Sequence, residues 1–560
     1  MKKVNSLLGL ASLVVMISIS GIVLNVFAST PAPEPPAGMV NLSMGRPYKV
    51  TQLVPTRYSY APLEAKYYWK GALTNGLAGS PTDFCDSQWQ GYCRGASRSV
   101  VVDLGRVNTV KQIQEDFMNC PDSTVFLPRK VTYFVSLNGK DWAEVGKVRR
   151  PSVVNRNTHT YTISGLNYRA RYVKMTFLVD NWVFADQFQV FGEEGIAAGP
   201  TVAKYTPPVK YPNAYCPPAS ASVGGVRNMV LMYDAYYPAD TAKENSVKEL
   251  IPYVGYENHN GKITDLMFDG FLFLPYAGRV TGPSGASYYD DPAHPVAKSD
   301  WEYFLGKTFD AVYNLGALNM AVGKVKNILH KHSYTAKVEI AIPYPTISPA
   351  DFGEVNGHPV YMNSIASQDT VVKWYINRVM RMWGSEDYAN LKLVGFYWYQ
   401  ENAIFNFTRD NESVTYYAGD YVRSLRKVFD WIPYYQASGF AEYHKLGFDA
   451  AVMQPNYMFR KFPRQELGDA ADADKKLGLG FELEVDGRAL IHKSFRAKFF
   501  RYLNYGVTKG YMTGSLHMYY QDGFGGGALY RSCISRNPAI RDIYDQTYRF
   551  IKGKYKCGTD

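Results

Sequence analysis

Three glutamates lie in segments whose other residues are those of a buried strand. Glu401 ends the apolar and aromatic run LKLVGFYWYQE, residues 391 to 401. Glu482 and Glu484 lie in LGFELEVD, residues 479 to 486, two residues apart and therefore on one face of a strand. A carboxylate is costly to bury in an apolar strand unless a partner or a function holds it. The pattern therefore predicts carboxyl groups that exchange protons at a site.

These runs belong to a set of eight apolar, strand-like segments that alternate with amphipathic helical patterns. The eight segments are 228–237, 265–275, 336–345, 391–401, 430–439, 448–457, 479–486 and 510–521. Eight strands with intervening helices over about 330 residues predict an α/β fold, a (β/α)8 TIM barrel at 223–555 with catalytic residues at the carboxyl ends of its strands. A doubly wound sheet is the alternative, but the chain contains no GxGxxG or GxxxxGK[ST] turn.

Residues 40–195 have a different pattern, with short runs rich in Val, Tyr and Phe broken by turn residues, which predicts a β-sandwich. Several segments resemble those of the discoidin-like (coagulation factor C-type), galactose-binding jelly roll: NLSMGRPYKVT, LTNGL, SVVVDLGRVNTVKQI, VSLNGKDWAEVG and FQVFGEE. The resemblance implies a carbohydrate-binding module with a structural calcium. Asn75 replaces the usual Asp of the LTDG turn, which weakens the expectation of calcium.

The amino terminus has the features of an export signal. Two lysines, an apolar stretch and Val26-Phe27-Ala28 predict a secretory signal at 1–28, and an uncleaved anchor is the alternative. The Pro-rich segment 29–39 and the segment 196–222 are predicted linkers. The expected location is secreted or on the cell surface of a bacterium, without stable membrane insertion after signal cleavage.

Composition limits the partners. The formal net charge of +11 favours, for an exported chain, acidic polysaccharide or anionic envelope over nucleic acid. The six cysteines are compatible with disulfides whose pairing cannot be deduced. They form no CxxC motif or His/Cys ladder, so neither a structural zinc site nor a metal or cofactor for catalysis is expected.

A carboxylate after strand four and another on strand seven resembles the arrangement of the retaining clan A glycoside hydrolases. The resemblance implies that Glu401 is the acid/base and that Glu482 or Glu484 is the nucleophile. Retention needs carboxyls about 5 to 5.5 Å apart, whereas inversion needs roughly 6.5 to 9.5 Å. The sequence leaves open which of the two is the nucleophile and which stereochemistry applies. Clan A enzymes commonly have Asn before the acid/base, and this chain has Gln400 there.

Further residues near strand ends are predicted to bind substrate: Asp234 on strand one, Asp269 on strand two, Trp398, Gln400 and Asn402 beside Glu401, Asn456 and Tyr457 closing strand six, and His517 and Tyr519 closing strand eight. The combination of modules resembles an uncharacterised family of secreted bacterial proteins with a glycosidase-like barrel. This second resemblance brings no substrate with it. The clan A resemblance implies a retaining glycoside hydrolase, and the long segments after strands two and three favour endo action on an extracellular or cell-envelope polysaccharide. The alternative is a non-catalytic carbohydrate-binding or adhesion protein. An esterase is not favoured, because no GxSxG elbow is present.

Overall fold

The structure is a computed structural model that describes residues 30–152, 154, 157–276, 281–289, 291–403, 413–523 and 526–558. The predicted signal at 1–28 lies outside this range. Within it, no helix combines the length and the apolar character needed to cross a bilayer.

The amino-terminal part is a sheet of nine strands, and a separate two-residue pair joins Thr30–Pro31 to Leu77–Ala78. The nine strands are Val40–Asn41, Tyr48–Gln52, Gln90–Cys93, Ser97–Met118, Lys130–Ser136, Ala143–Arg149, Thr158–Ile163, Tyr168–Leu178 and Trp182–Glu193. The long strand Ser97–Met118 pairs with Tyr48–Gln52 near its start and with Thr158–Ile163 near its end. Because this strand pairs with different strands along its length, the sheet folds over an apolar core, as in a sandwich. All six cysteines of the chain are free thiols.

The second part is a closed barrel of eight parallel strands, which confirms the predicted barrel. In chain order, barrel strands one to eight are Asn228–Asp234, Gly270–Pro275, Ala336–Ile342, Leu391–Trp398, Val428–Trp431, Ala450–Met453, Gly480–Glu484 and His517–Tyr520. Each strand pairs with the next, and strand eight pairs with strand one. The carboxyl ends of all eight strands therefore meet at one end of the barrel, called the mouth below.

Helices cover the barrel: Val247–Val254, Lys298–Thr308, Asn314–Ile328, Ile365–Ser385, Val414–Ser424, Gln465–Leu477, Gly487–Ile491, Lys493–Lys509, Tyr511–Gly514, Gly527–Cys533 and Pro538–Ile551. One short helix, Ala61–Glu64, lies in the amino-terminal part, and 3-10 turns occur at Ala65–Tyr67, Ala72–Thr74, Pro121–Ser123, Ala221–Val223 and Phe440–Leu446. Two hairpins pair Gly255–Glu257 with Ile263–Leu266 and Asp351–Val355 with His358–Tyr361. The first barrel helix begins with a capping box between Ser246 and Glu249, which satisfies its free amides.

Two predicted strand boundaries are wrong. The run 510–521 becomes a strand only at His517, because Tyr511–Gly514 forms a turn of helix before it. The run 265–275 contains the end of a hairpin, and strand two begins at Gly270, after Asp269. As a result, Asp269 and His517 lie at the amino ends of these strands.

Candidate active site

Strands four and seven bring Glu401, Glu482 and Glu484 to the mouth. Glu484 is the last residue of strand seven, and Glu482 lies two residues earlier, on the same face and deeper in the barrel. Strand four ends at Trp398, and Glu401 follows in the next turn of chain. The exposed fractions of Glu482 and Glu484 are 2% and 0%, so both carboxyls are withdrawn from bulk water.

Glu484 accepts hydrogen bonds from three donors. The backbone amide of Asn456 donates to Oε1 at 2.9 Å, and that of Met458 donates to Oε2 at 3.3 Å. The hydroxyl of Tyr502, on helix Lys493–Lys509, also donates to Oε2. Burial raises the pKa of Glu484 to about 7, and the three donors oppose this rise because they bond the ionised form. The surroundings therefore favour Glu484 as an anion more than burial alone would allow.

Glu401 and Glu482 lie close enough to Glu484 to feel its charge. Burial raises the pKa of Glu401 to about 7, while a hydrogen bond with the side chain of Gln454 lowers it and Glu484 raises it further. Burial also raises the pKa of Glu482 well above its ordinary value, and the charges of Glu484 and Glu401 add to this rise. Ionisation of Glu484 therefore makes ionisation of Glu401 and Glu482 less favourable.

Tyrosines line the mouth beside these carboxyls. Tyr233 packs edge-on against Tyr520 with ring centroids 6.1 Å apart, and Tyr289 stacks on Tyr399 at 4.8 Å. Burial raises the pKa of Tyr397 well above its ordinary value, and the charge of Glu401 contributes to the rise. Aromatic faces with hydroxyl groups at their edges suit the apolar faces and hydroxyls of a sugar ring.

Asp234, Trp398 and Tyr519 do not join this group. Thr308 donates to Asp234 at 2.8 Å, and the Trp398 ring packs edge-on against Phe429 with centroids 6.0 Å apart. Successive residues of a strand face opposite sides, so their neighbours Tyr233, Tyr397 and Tyr520 occupy the positions that face the carboxyls.

Asp269 and His517 lie at the opposite end of the barrel from the mouth. Asp269 accepts a hydrogen bond from the amide of Asn228 at 2.8 Å and pairs with Lys337 at 3.0 Å, so it closes the amino ends of strands one to three. His517 begins strand eight instead of closing it. Burial lowers the pKa of His517 to about 3, so it is neutral.

Gln400 and Asn402 flank Glu401 and are held by the last residue of strand five and by the loop after that strand. The Gln400 carbonyl accepts from Trp431 Nε1 at 2.8 Å. The Asn402 side-chain oxygen accepts from the amide of Ser438 at 3.2 Å. Both residues therefore tie the chain on either side of Glu401 to neighbouring parts of the barrel.

Tyr457 and Asn456 lie beside Glu484, but only Asn456 contacts it. The Tyr457 hydroxyl accepts from Arg501 at 2.8 Å. Sequence reasoning missed the tyrosine that does bond Glu484, Tyr502, and also missed Gln454, the partner of Glu401. Tyr502 lies within a helix, and no local pattern of residues indicates that it contacts a carboxyl of the site. Gln454 directly follows strand six and could have been found by the alternation of that strand.

The barrel also places the chain in a family. Residues 228–549, more than half of the chain, match the family described as Domain of unknown function (DUF4855). The chain belongs to this family. The DUF4855 segment begins at the first residue of barrel strand one and includes all eight strands, with Glu401, Glu482 and Glu484.

Three solved structures are similar to parts of the chain. "CpGH89CBM32-6 produced by Clostridium perfringens" is 17% identical with TM-score 0.19, covering 28% of this chain and 100% of its own. The V110M mutant of a chitosan-binding module from a chitosanase/glucanase of Paenibacillus sp. IK-5 is 18% identical with TM-score 0.19, covering 27% and 98%. A Ruminococcus gnavus GH29 fucosidase in complex with fucose is 12% identical with TM-score 0.19, covering 28% and 27%. No curated protein matches the chain.

The turn that the discoidin resemblance associates with calcium contains an amide instead. Gln187 Nε2 donates to the carbonyls of Ala72 and Leu77 at 3.0 and 2.7 Å and to Asn75 Oδ1 at 2.8 Å. Calcium requires six to eight oxygen ligands, usually with carboxylates among them. The Asp186 carboxylate oxygen Oδ1 also lies 3.2 Å from this nitrogen, so the Gln187 amide fills the space among four oxygens. Four are fewer than the six to eight that calcium requires, and calcium binding would need this amide to move away.

We therefore expect the melting temperature of the full chain to be the same with calcium and with excess EGTA. Gln187→Glu replaces the amide by a carboxylate among these oxygens and should make the melting temperature rise with calcium, because a ligand that binds the folded state stabilises it. Differential scanning calorimetry of both proteins measures this. A lower melting temperature of the wild type in EGTA would contradict the expectation.

Proposed function

We propose that this protein is an exported bacterial glycoside hydrolase, retaining and endo-acting, of an extracellular or cell-envelope polysaccharide. The observation that carries the proposal is the group of carboxyls Glu401, Glu482 and Glu484 at the mouth of the barrel, of which Glu482 and Glu484 are buried and Glu401 is half-buried. Barrel enzymes carry their active sites at this end. Glycoside hydrolysis uses one carboxyl that donates a proton and a second that attacks or activates water.

Glu401 is proposed as the acid/base. With a pKa raised to about 7, it keeps a proton near neutral pH and passes it to the glycosidic oxygen as the bond to the anomeric carbon breaks. The resulting Glu401 carboxylate then accepts a proton from the water that attacks the glycosyl-enzyme intermediate. The proton returns Glu401 to its starting state.

Glu484 is proposed as the nucleophile, because a nucleophilic carboxyl must be ionised while the acid is protonated. The three donors favour the ionised form of Glu484. The charges of Glu484 and Glu401 disfavour ionisation of Glu482. Glu484 also lies nearer the carboxyl end of strand seven than Glu482. Glu482 then remains protonated and can donate a hydrogen bond to substrate or to its neighbours.

A cation beside Glu484 supports an acidic substrate. Lys498 Nζ donates to the carbonyls of Tyr457 and Arg460 at 2.8 and 2.6 Å. Arg460 acts on the pKa of Glu484 and lies over the Phe462 ring at 5.6 Å. Lys498 also donates to the Met458 carbonyl at 3.3 Å, so its three ammonium hydrogens are used within the protein. Within the described residues, Arg460 forms no ion pair, so its guanidinium can pair with an anionic group of a polymer.

The amino-terminal sandwich is proposed to bind carbohydrate through Tyr68 and Trp69, which expose 53% and 39% of their surfaces. Trp89 and Tyr92, in the same sequence region, are buried and serve as packing. Exposed aromatic faces are energetically unfavourable in water unless a ligand covers them.

The test is the release of reducing ends from acidic and neutral polysaccharides by the full chain, with the anomeric configuration of the first product followed by proton NMR. We expect Glu484→Ala to abolish release and added formate to restore it, because formate replaces the missing carboxylate. Glu482→Ala is the matched control and should show no such rescue. If formate restored the activity of Glu482→Ala but not that of Glu484→Ala, Glu482 would be the nucleophile. Binding of polysaccharide without any release would favour the non-catalytic binding protein.

A further inference from the structure

Arg94 of the sandwich bonds the barrel loop 432–442, which follows strand five. Its Nη1 donates to the Gln436 carbonyl at 2.9 Å and its Nη2 to the Tyr434 hydroxyl at 3.0 Å. The guanidinium lies between the rings of Tyr60 and Tyr434, 5.1 and 5.2 Å from their centroids. An arginine that is both stacked and doubly bonded fixes the group it contacts.

Gln436 strengthens this connection from the barrel side. Its Oε1 accepts from the amide of Gly95 at 3.1 Å, and its Nε2 donates to the Pro55 carbonyl at 2.8 Å. Its φ of 57° lies in the left-handed region, which a residue other than glycine adopts only when its surroundings hold it there. The sandwich supplies that hold.

A second connection joins the same loop a few residues later. Arg129 of the sandwich bonds both oxygens of Asp180 at 3.2 Å and Glu442 Oε2 at 2.9 Å. The carbonyl of Asp180 accepts a hydrogen bond from the Ser438 hydroxyl. The loop is therefore attached to the sandwich at both of its ends.

The loop in turn holds the chain that follows Glu401. The Ser438 amide donates to Asn402 Oδ1 at 3.2 Å, and the Ala403 amide donates to the Ser438 carbonyl at 3.3 Å. Asn402 and Ala403 directly follow Glu401, so Ser438 sets where that segment runs.

The loop also holds the hydrogen-bond partner of Glu401. The Gln454 amide donates to the Pro433 carbonyl at 2.9 Å, and its Nε2 donates to the Ile432 carbonyl at 3.0 Å. The Gln454 side chain acts on Glu401 and lowers the pKa of its carboxyl. Two separate routes thus lead from the sandwich through loop 432–442 to Glu401.

We infer that the sandwich is a structural part of the active site, in which Arg94 and Arg129 position Glu401 through loop 432–442. Among the described contacts, neither arginine bonds Glu401, Glu482 or Glu484, so both are positioning residues. The inference rests on the proposed function for its catalytic meaning, but the physical coupling it describes can be measured without turnover.

The experiment compares Arg94→Ala and Ser438→Ala with Arg57→Ala in the full chain. Arg57 also joins the sandwich to the barrel, through an ion pair with Asp469, but it does not touch loop 432–442. Hydrogen exchange of peptides covering 399–403 and 432–438 should accelerate about tenfold in Arg94→Ala, the equivalent of one charge-assisted hydrogen bond. It should accelerate about fivefold in Ser438→Ala, which loses a hydrogen bond between neutral groups, and stay unchanged in Arg57→Ala.

On a substrate identified for the wild type, kcat should fall about tenfold in Arg94→Ala with little change in KM, by the same conversion. The alkaline limb of the pH profile should move to higher pH, because the Gln454 bond that lowers the pKa of Glu401 is loosened. Equal exchange and equal pH profiles in all three variants would overturn the inference. If the wild type hydrolyses nothing, the proposed function fails, and faster exchange in Arg94→Ala and Ser438→Ala alone still supports the coupling.

Discussion

Glu401→Gln should lower kcat/KM on a natural polysaccharide by about 10²- to 10⁴-fold, the usual contribution of a positioned general acid or base. Gln keeps the shape and the hydrogen-bonding reach of Glu401 but has no proton to give. The loss should be far smaller for glycosides with an acidic phenol as leaving group, because such an oxygen departs without protonation.

The pH dependence gives a second test of the same residue. Glu401 has a pKa raised to about 7 by burial, so wild-type activity should fall as the pH rises through about 7 and the acid loses its proton. In Glu401→Gln that alkaline limb should disappear. Initial rates measured across the pH range give both results.

The exposed glutamate Glu386 provides the control, and Glu386→Gln should leave the rate and the profile unchanged. A Glu401→Gln protein with wild-type activity on polysaccharide would remove Glu401 from the mechanism and leave the barrel as a binding surface.

Glu339→Gln should make the barrel more stable above neutral pH by about 3 kcal/mol. Glu339 and Asp430 are both buried inside the barrel, and each carboxyl acts on the pKa of the other. Burial raises the pKa of Glu339 from 4.5 to about 7, and it raises the pKa of Asp430 well above its ordinary value. Gln keeps an acceptor for the Asp430 proton and carries no charge.

The sign follows from proton linkage. A carboxyl whose folded-state pKa is raised gives its full stability below its unfolded pKa, and this stability is lost as the pH rises through the folded pKa. Wild-type stability should therefore decline between about pH 4.5 and about pH 7, the two pKa values of Glu339. Glu339→Gln should match the wild type at the acid end and exceed it at about pH 8.

Urea unfolding followed by far-UV circular dichroism measures this, because all described helices longer than four residues belong to the barrel. The exposed Glu354 supplies the control, since Glu354→Gln should follow the wild type at every pH. Equal stability of the wild type and Glu339→Gln at about pH 8 would show that the buried pair carries no ionisation cost.

The barrel could be predicted from the sequence because its signal is local. Strand-like apolar runs alternate with amphipathic helical patterns, and this periodicity depends on residues only a few positions apart. Glu401, Glu482 and Glu484 were found for the same reason, since each is a charged residue at or near the end of an apolar run. Their meeting at the mouth follows from the parallel order of the strands.

Errors of one residue or one strand end account for the predicted residues that lie elsewhere. Asp234, Trp398 and Tyr519 are each next to a tyrosine at the mouth, and a shift of one position reverses the face of a strand. His517 was assigned to the carboxyl end of a strand that begins with it, and Asp269 was assigned to strand two, which begins one residue after it.

The sequence by itself determined the order of the strands, and with it the glutamates that reach the mouth. Only the tertiary structure decided how they differ: Tyr502 and two loop amides bond Glu484, Gln454 bonds Glu401, and Arg94 of the sandwich holds the loop beside it. These partners are far apart in the chain or belong to another domain. Their effect on a carboxyl depends on distance and burial in three dimensions, which no local pattern of residues records.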